Sequence, residues 1–234
     1  MRGTGWMLGA ALAASAAVAM PAAAEIVQKT GRFGGAQIAY EVFVPPGYDA
    51  AKAYPAVLVF TGGPQALPMA RNTVETDWAP EAAKRGYIVV SPAAPEGQLF
   101  YEKGDRIFPA FIEQIRRDYR IAGKLHIAGH SNGGLSAFHV AARWPSYFST
   151  VTGYPGLFDE PDLPRSAALK PMCVYMHVGD GDPIWWGAMQ DQMEAMQKQG
   201  FRIALSVEKG QGHRLKAAEL DLSRRLFDEI ESCR

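Results

Sequence analysis

The sequence predicts an α/β chain, a mostly parallel sheet with helices on both faces. After residue 24, short runs rich in β-branched and aromatic residues alternate with longer amphipathic ones, and strand–helix–strand alternation implies parallel pairing. No internal repeat or long linker interrupts the series. A chain of 234 residues with 48% hydrophobic and 21% charged residues is also enough for one well-buried core. In such a sheet, ligands are expected at the carboxyl ends of the strands.

The strand-like runs fall, in order, at 38–44, 56–60, 87–90, 125–128, 150–152, 173–177 and 202–207. Helical spacing of apolar residues appears at 77–85, 105–119, 133–143, 186–199 and 214–232. Proline-rich stretches at 44–47 and 157–171 read as loops. Only about 18 residues separate the strand ending at Gly153 from the one starting near Cys173, too few for a large helical cap domain.

The first 24 residues differ from the rest. A single charge, Arg2, precedes an apolar run from Met7 to Met20, which ends in Pro21 and three alanines. Fourteen apolar residues are too few to span a bilayer, and Ala22 and Ala24 satisfy the A-x-A cleavage rule. A signal peptide over 1–24 is therefore expected, with one mature domain over 25–234, export to periplasm or medium, and no membrane anchor after cleavage. Lys plus Arg equals Asp plus Glu at 24 each, so no basic excess points to nucleic acid.

Two cysteines are too few for a disulfide-built scaffold and fit no zinc spacing. No P-loop lysine pattern and no G-x-G-x-x-G after a strand is present, so neither a metal nor another cofactor is expected. The one pairing available, Cys173 with Cys233, is geometrically reasonable. Cys173 begins a strand, and a last helix running back antiparallel from near His213 returns Cys233 to that end of the sheet.

The chemistry concentrates in Gly129-His130-Ser131-Asn132-Gly133, which follows the 125–128 strand and opens a helix. In that setting G-x-S-x-G forms a nucleophile elbow, with the serine Oγ held above the sheet on a sharp turn. A serine hydroxyl needs a base, and the partners in this architecture follow in the order Ser, acid, His. His213, in a glycine-flanked loop after the last strand, is the expected base. The acid is expected after the 173–177 strand, where Asp182 is favoured, Asp180 is the alternative and Asp159 a distant third. His130 is expected to line the pocket. The oxyanion donors are expected to be the backbone N–H groups of Asn132 and of Gly63, in Thr61-Gly62-Gly63.

These motifs resemble the α/β-hydrolase superfamily. Thr61-Gly62-Gly63 is similar to its His-Gly-Gly oxyanion loop, with threonine in place of histidine, and Gly129 to Gly133 to its elbow. Tyr40 to Tyr48 and the stretch 128–148 resemble exported feruloyl esterases, polyhydroxyalkanoate depolymerases and the catalytic domains of prolyl-oligopeptidase-type peptidases. The resemblance and the residues together predict an exported serine hydrolase of small or polymeric carboxylic esters, with Ser131, His213 and Asp182 as triad. A peptidase using the same residues and a non-catalytic hydrolase-fold binding protein are the alternatives. Tyr154, Phe158, Trp185 and Trp186 fall on loops at the catalytic end and are expected to rim an open site, which favours bulky or aryl esters.

Overall fold

The computed structural model describes residues 23–233. The signal peptide expected over 1–24 thus lies outside the described residues, save Ala23 and Ala24. The chain opens with a hairpin of two strands, β1 (Glu25–Phe33) and β2 (Ala36–Val44). Gly34 and Gly35 join them at φ 53° and 86°, the left-handed pair that a two-residue hairpin turn requires. Six strands follow: β3 (Ala56–Phe60), β4 (Ile88–Pro92), β5 (Leu125–Gly129), β6 (Phe148–Gly153), β7 (Cys173–Gly179) and β8 (Arg202–Glu208).

Together they form one sheet in the order β1-β2-β4-β3-β5-β6-β7-β8. The β1–β2 and β2–β4 pairs are antiparallel and all others parallel. The chain builds outward from β3 to β4 and then returns to the other side of β3 with β5. That reversal makes a switch point, where the loops leaving β3 and β5 diverge and open a crevice. The register Phe60↔Gly129 brings the two strand ends level, so both loops start at the same height.

Alternate residues of each central strand face opposite layers. Leu58 and Phe60 meet the cluster formed with Phe108, Phe111 and Ile115 of α3 (Phe108–Tyr119), Phe138 of α4 (Asn132–Arg143) and Met189 of α5 (Pro183–Lys198). Val57 and Val59 meet a second cluster built around Trp78, Leu226 and Phe227. That layer comprises a continuous helical stretch, α1 (Leu67–Thr73) leading through Val74–Trp78 into α2 (Ala79–Arg85), and the C-terminal helix Leu222–Ser232. The C-terminal helix spans the layer: Phe227 packs edge-on against Trp78 and Tyr87, and Arg85 meets Asp228 and Glu231, both at 2.6 Å. Each fully buried aromatic or aliphatic side chain contributes about 1.5–3 kcal/mol, so both layers are needed to offset the entropy of ordering the chain.

Several elements depart from the sequence pattern. Strand β1 was not expected. The helix expected over 77–85 begins at Leu67 and passes through a π turn at Val74–Trp78. The single helix expected over 214–232 is a short turn, Ala217–Leu220, and a separate helix, Leu222–Ser232, divided by Asp221 at φ 49°. Between β6 and β7 the chain forms a 3-10 segment, Glu160–Leu169, and no helical cap. The Cys173–Cys233 disulfide is present, with Cα atoms 5.9 Å apart, and joins the start of β7 to the end of the last helix. Closing a loop of 60 residues stabilises the fold by about 4 kcal/mol in the chain-entropy model.

Candidate active site

Ser131 sits between β5 and α4 at φ 57°, ψ −123°, a conformation that costs a non-glycine residue of order 1–3 kcal/mol and that crowding must enforce. The crowding comes from glycines. A Cβ on Gly129 would strike the Gly133 carbonyl, one on Gly133 the carbonyls of Phe60 and Thr61, and one on Gly134 the Pro155 carbonyl. The backbone is pinned as well: Ser131 N donates to Pro155 O at 2.8 Å and His130 N to Phe60 O at 3.1 Å. The result projects the serine hydroxyl into the crevice at the N-terminus of α4, where the helix dipole favours developing negative charge.

The other two side chains arrive from neighbouring strand ends. Asp182 follows β7 and precedes α5, and His213 follows β8. His213 Nε2 lies 2.8 Å from Ser131 Oγ, and its Nδ1 lies 2.6 Å from Asp182 Oδ2. The Asp182 side chain is 12% exposed and that of His213 42%, so the acid is shielded while the imidazole remains reachable from the crevice. Asp180 occupies a different position. Its Oδ1 accepts a hydrogen bond from Gly210 N at 2.8 Å, which ties the β7 loop to the loop that carries His213. Asp159 lies in the loop after β6, and the Nδ1 of His213 is paired with Asp182 instead.

Asn132 and Gly63 face one another across the crevice. Asn132 is the first residue of α4, where an N–H has no carbonyl within its own helix. Its side-chain Nδ2 donates to Gly63 O at 3.0 Å, and Gly63 holds φ 55°. The residue that braces this loop, Gln65, was not singled out by any sequence motif. It is fully buried at φ 53°, and its Nε2 donates to Ser136 Oγ at 2.8 Å and to Asn132 O at 3.3 Å. Its Oε1 accepts from Phe100 N at 3.2 Å, so one amide ties the Gly62–Gly63 loop to α4 and to the chain at Phe100. Gln at position 65, just beyond Gly62-Gly63-Pro64, was the only available signal.

His130 packs over Gly62, where a Cβ would fall 2.6 Å from its Nδ1, and its ring centroid is 5.5 Å from that of His213. Burial pushes its pKa down to about 4. It borders a cavity of about 250 Å³ beside the oxyanion loop, with Met69, Asp77, Tyr154, Arg214 and Leu215 among its walls. Burial pushes the Asp77 carboxyl above its ordinary range.

The four aromatic residues do not form the expected rim. Tyr154 is 2% exposed and its hydroxyl accepts from Trp78 Nε1 at 2.9 Å, which makes it a floor of the cavity and part of the core. Phe158, also 2% exposed, packs edge-on against Phe138. The Gly153–Gly156 chain presses against Gly134, where a Cβ would meet the Pro155 carbonyl and the Gly156 Cα. Trp185 does lie at the site, half-buried, 5.3 Å from the His213 ring. Trp186 is 37% exposed on the first turn of α5, beside Ile184 at 83%. Among the described residues no group of three or more His, Cys, Asp or Glu could hold a metal ion, and no helix is long and apolar enough to cross a membrane.

This sheet order, with a serine elbow after β5, defines the α/β-hydrolase fold. A solved ferulic acid esterase superposes with a TM-score of 0.71 at 20% identity, covering 89% of this chain and 98% of its own. Fluorophosphonate-binding serine hydrolase F of Staphylococcus aureus superposes with a TM-score of 0.72 at 11% identity, over 89% and 99%. Dipeptidyl-peptidase 5 of Porphyromonas gingivalis is 29% identical over 162 residues, 62% of this chain. The match takes in 22% of that protein, so this chain spans about a fifth of the relative's length. No protein-family model matches the sequence.

Proposed function

We propose that the chain is an exported serine hydrolase that cleaves carboxylic esters. The observation that carries this reading is the unbroken hydrogen-bonded path from Asp182 through His213 to Ser131. Ser131 Oγ attacks the ester carbonyl as His213 Nε2 takes its proton, and Asp182 holds the Nδ1–H tautomer and stabilises the imidazolium. The backbone N–H groups of Gly63 and Asn132 receive the oxyanion. His213 then returns the proton to the leaving alcohol, and a water activated by the same imidazole releases the acid and restores Ser131. The apolar leader at 7–20 and the Cys173–Cys233 disulfide support export, since disulfides persist in oxidising compartments. Trp185, 5.3 Å from the His213 ring, supplies apolar surface beside the site, which favours bulky or aryl esters over short aliphatic ones.

A second reading, a peptidase using the same three residues, is favoured by the 29% identity to dipeptidyl-peptidase 5. Labelling with an active-site-directed phosphonate, followed by matched ester and amide panels, separates the two. The ester reading expects an adduct on Ser131 and faster turnover of aryl esters. Faster amide turnover would make the protein a peptidase. An adduct on another serine would remove the nucleophile, and no adduct with no hydrolysis would leave a binding protein.

A further inference from the structure

Outside the reaction centre, a charged cluster is buried where β7, β8 and the last helix meet. His177, on β7, is fully buried, yet both its ring nitrogens face carboxylates: Nδ1 lies 3.2 Å from Glu208 Oε1 and Nε2 lies 2.8 Å from Glu229 Oε2. A neutral imidazole carries one N–H and can donate only once, whereas the imidazolium donates to both carboxylates. Arg225 completes the cluster, donating to both oxygens of Glu208 at 2.9 and 2.7 Å and to Ser206 Oγ at 3.1 Å. The groups facing His177 are thus Glu208 from β8 and Glu229 from the last helix, with Arg225 behind Glu208. Two positive and two negative charges balance only while His177 is protonated.

Glu208 is also a main-chain junction. Its carbonyl accepts Asp180 N at 3.1 Å from the loop leading to Asp182, and Gln211 N at 3.3 Å from the loop leading to His213. The two loops are then stitched to each other by Gly181 N to Gln211 O at 2.8 Å and Gly210 N to Asp180 Oδ1 at 2.8 Å. Gly179 has no room for a Cβ because the Gln211 carbonyl lies against it.

We propose that Glu208, held by His177 and Arg225, is the positioning residue that sets the acid loop against the base loop, and that its hold depends on the charge of His177, which Glu229 supports from the other side of the ring. This rests on the reading of Asp182 and His213 as acid and base. Burial alone would push His177 down, but the hydrogen bonds to Glu208 and Glu229 outweigh it and hold its pKa above the ordinary value. The His177 contact in turn holds the Glu208 carboxyl well below its usual range. Protonated His177 therefore stabilises the junction below its ordinary pKa of about 6.5, and the contribution is lost as pH rises through the folded value.

The test is kinetic and spectroscopic, on the full-length mature protein. Glu208→Gln keeps the side-chain shape and removes the charge, and should lower kcat roughly 10- to 100-fold with KM little changed, the scale of a sub-ångström to 1 Å misplacement. In the unsubstituted protein kcat should fall on the alkaline side as His177 loses its proton, and His177→Gln should lack that limb. Glu229→Gln, at the solvent end of the cluster, should move the limb to lower pH, a change that a purely structural role would not produce. Nitrogen NMR should find both His177 ring nitrogens protonated at neutral pH. A folded Glu208→Gln protein with unchanged kcat, a limb unmoved by Glu229→Gln, or a singly protonated ring at neutral pH would each overturn the proposal. Should Glu208→Gln not fold, the Glu229→Gln limb and the NMR decide alone. Failure of the phosphonate to label Ser131 would instead remove the hydrolase reading, and this one with it.

Discussion

Ser131 is placed by backbone crowding, whereas Asp182 and His213 are placed by hydrogen bonds and charge. Around the elbow, Gly129, Gly133 and Gly134 bring carbonyls of three separate segments into contact, and no ionised side chain is involved. At the β7–β8 end, two loops meet through main-chain hydrogen bonds, Asp180 and the Glu208 junction, and a disulfide fixes the far end of β7. The first arrangement is rigid and insensitive to pH and salt, because sterics do not titrate. The second can be loosened without disturbing the sheet, so the nucleophile and its base are expected to fail under different conditions.

Substitutions at the two regions should separate them. Ser131→Ala has the largest expected effect: turnover falls roughly 10⁶-fold while near-ultraviolet circular dichroism stays native, because the crowded turn tolerates the smaller residue. Asp182→Asn should lower kcat by roughly 10⁴ by freeing the wrong imidazole tautomer. Asp180→Asn, which keeps an oxygen for Gly210 N, should cost less than about tenfold; the reverse ranking in steady-state kinetics would reassign the acid. Removing the disulfide in the Cys173→Ser/Cys233→Ser protein should lower unfolding free energy by about 4 kcal/mol in urea titrations. It should also raise hydrogen exchange in the Asp182 and His213 loops ahead of the elbow. Equal rises in both regions would mean that the two are not separately held. The smallest effect is expected from Trp185→Ala, a rise in KM of roughly 3- to 10-fold for aryl esters and less for acetate esters of small alcohols.

Sequence alone reached the steric half of the site more fully than the polar half. A strand running into G-x-S-x-G and a helix carries its own geometry, so the elbow and the central strands could be read directly, and the structure brings Ser131, Asp182 and His213 within hydrogen-bond distance of one another in sequence order. The antiparallel return of the last helix likewise predicted which cysteines meet. Strand β1 was hidden because its residues alternate weakly at an exposed sheet edge, although Gly34-Gly35 between two runs is a hairpin signal. The inward turn of Tyr154 and Phe158 is not legible locally, because a loop position does not say which way a ring turns, and their partners, Trp78 and Phe138, lie far away in the sequence or on another element. Gln65 and the His177–Glu208 junction depend on partners 30 to 70 residues away, and no local pattern encodes them.

The C-terminal helix has a consequence for the order in which the molecule is made. It carries Phe227 to the Trp78 layer, Arg225 and Glu229 to the Glu208 junction and, just beyond its end, Cys233 to Cys173. Ribosomes add about 5–20 residues per second, so the hundred or so residues between the serine and the last cysteine take roughly 5–20 s to appear. Late in that interval the growing chain already holds Ser131, Trp78 and His177, but the side chains that the last helix brings to these layers do not yet exist. The helix is therefore the last element to emerge, and the Cys173–Cys233 bond closes only after it.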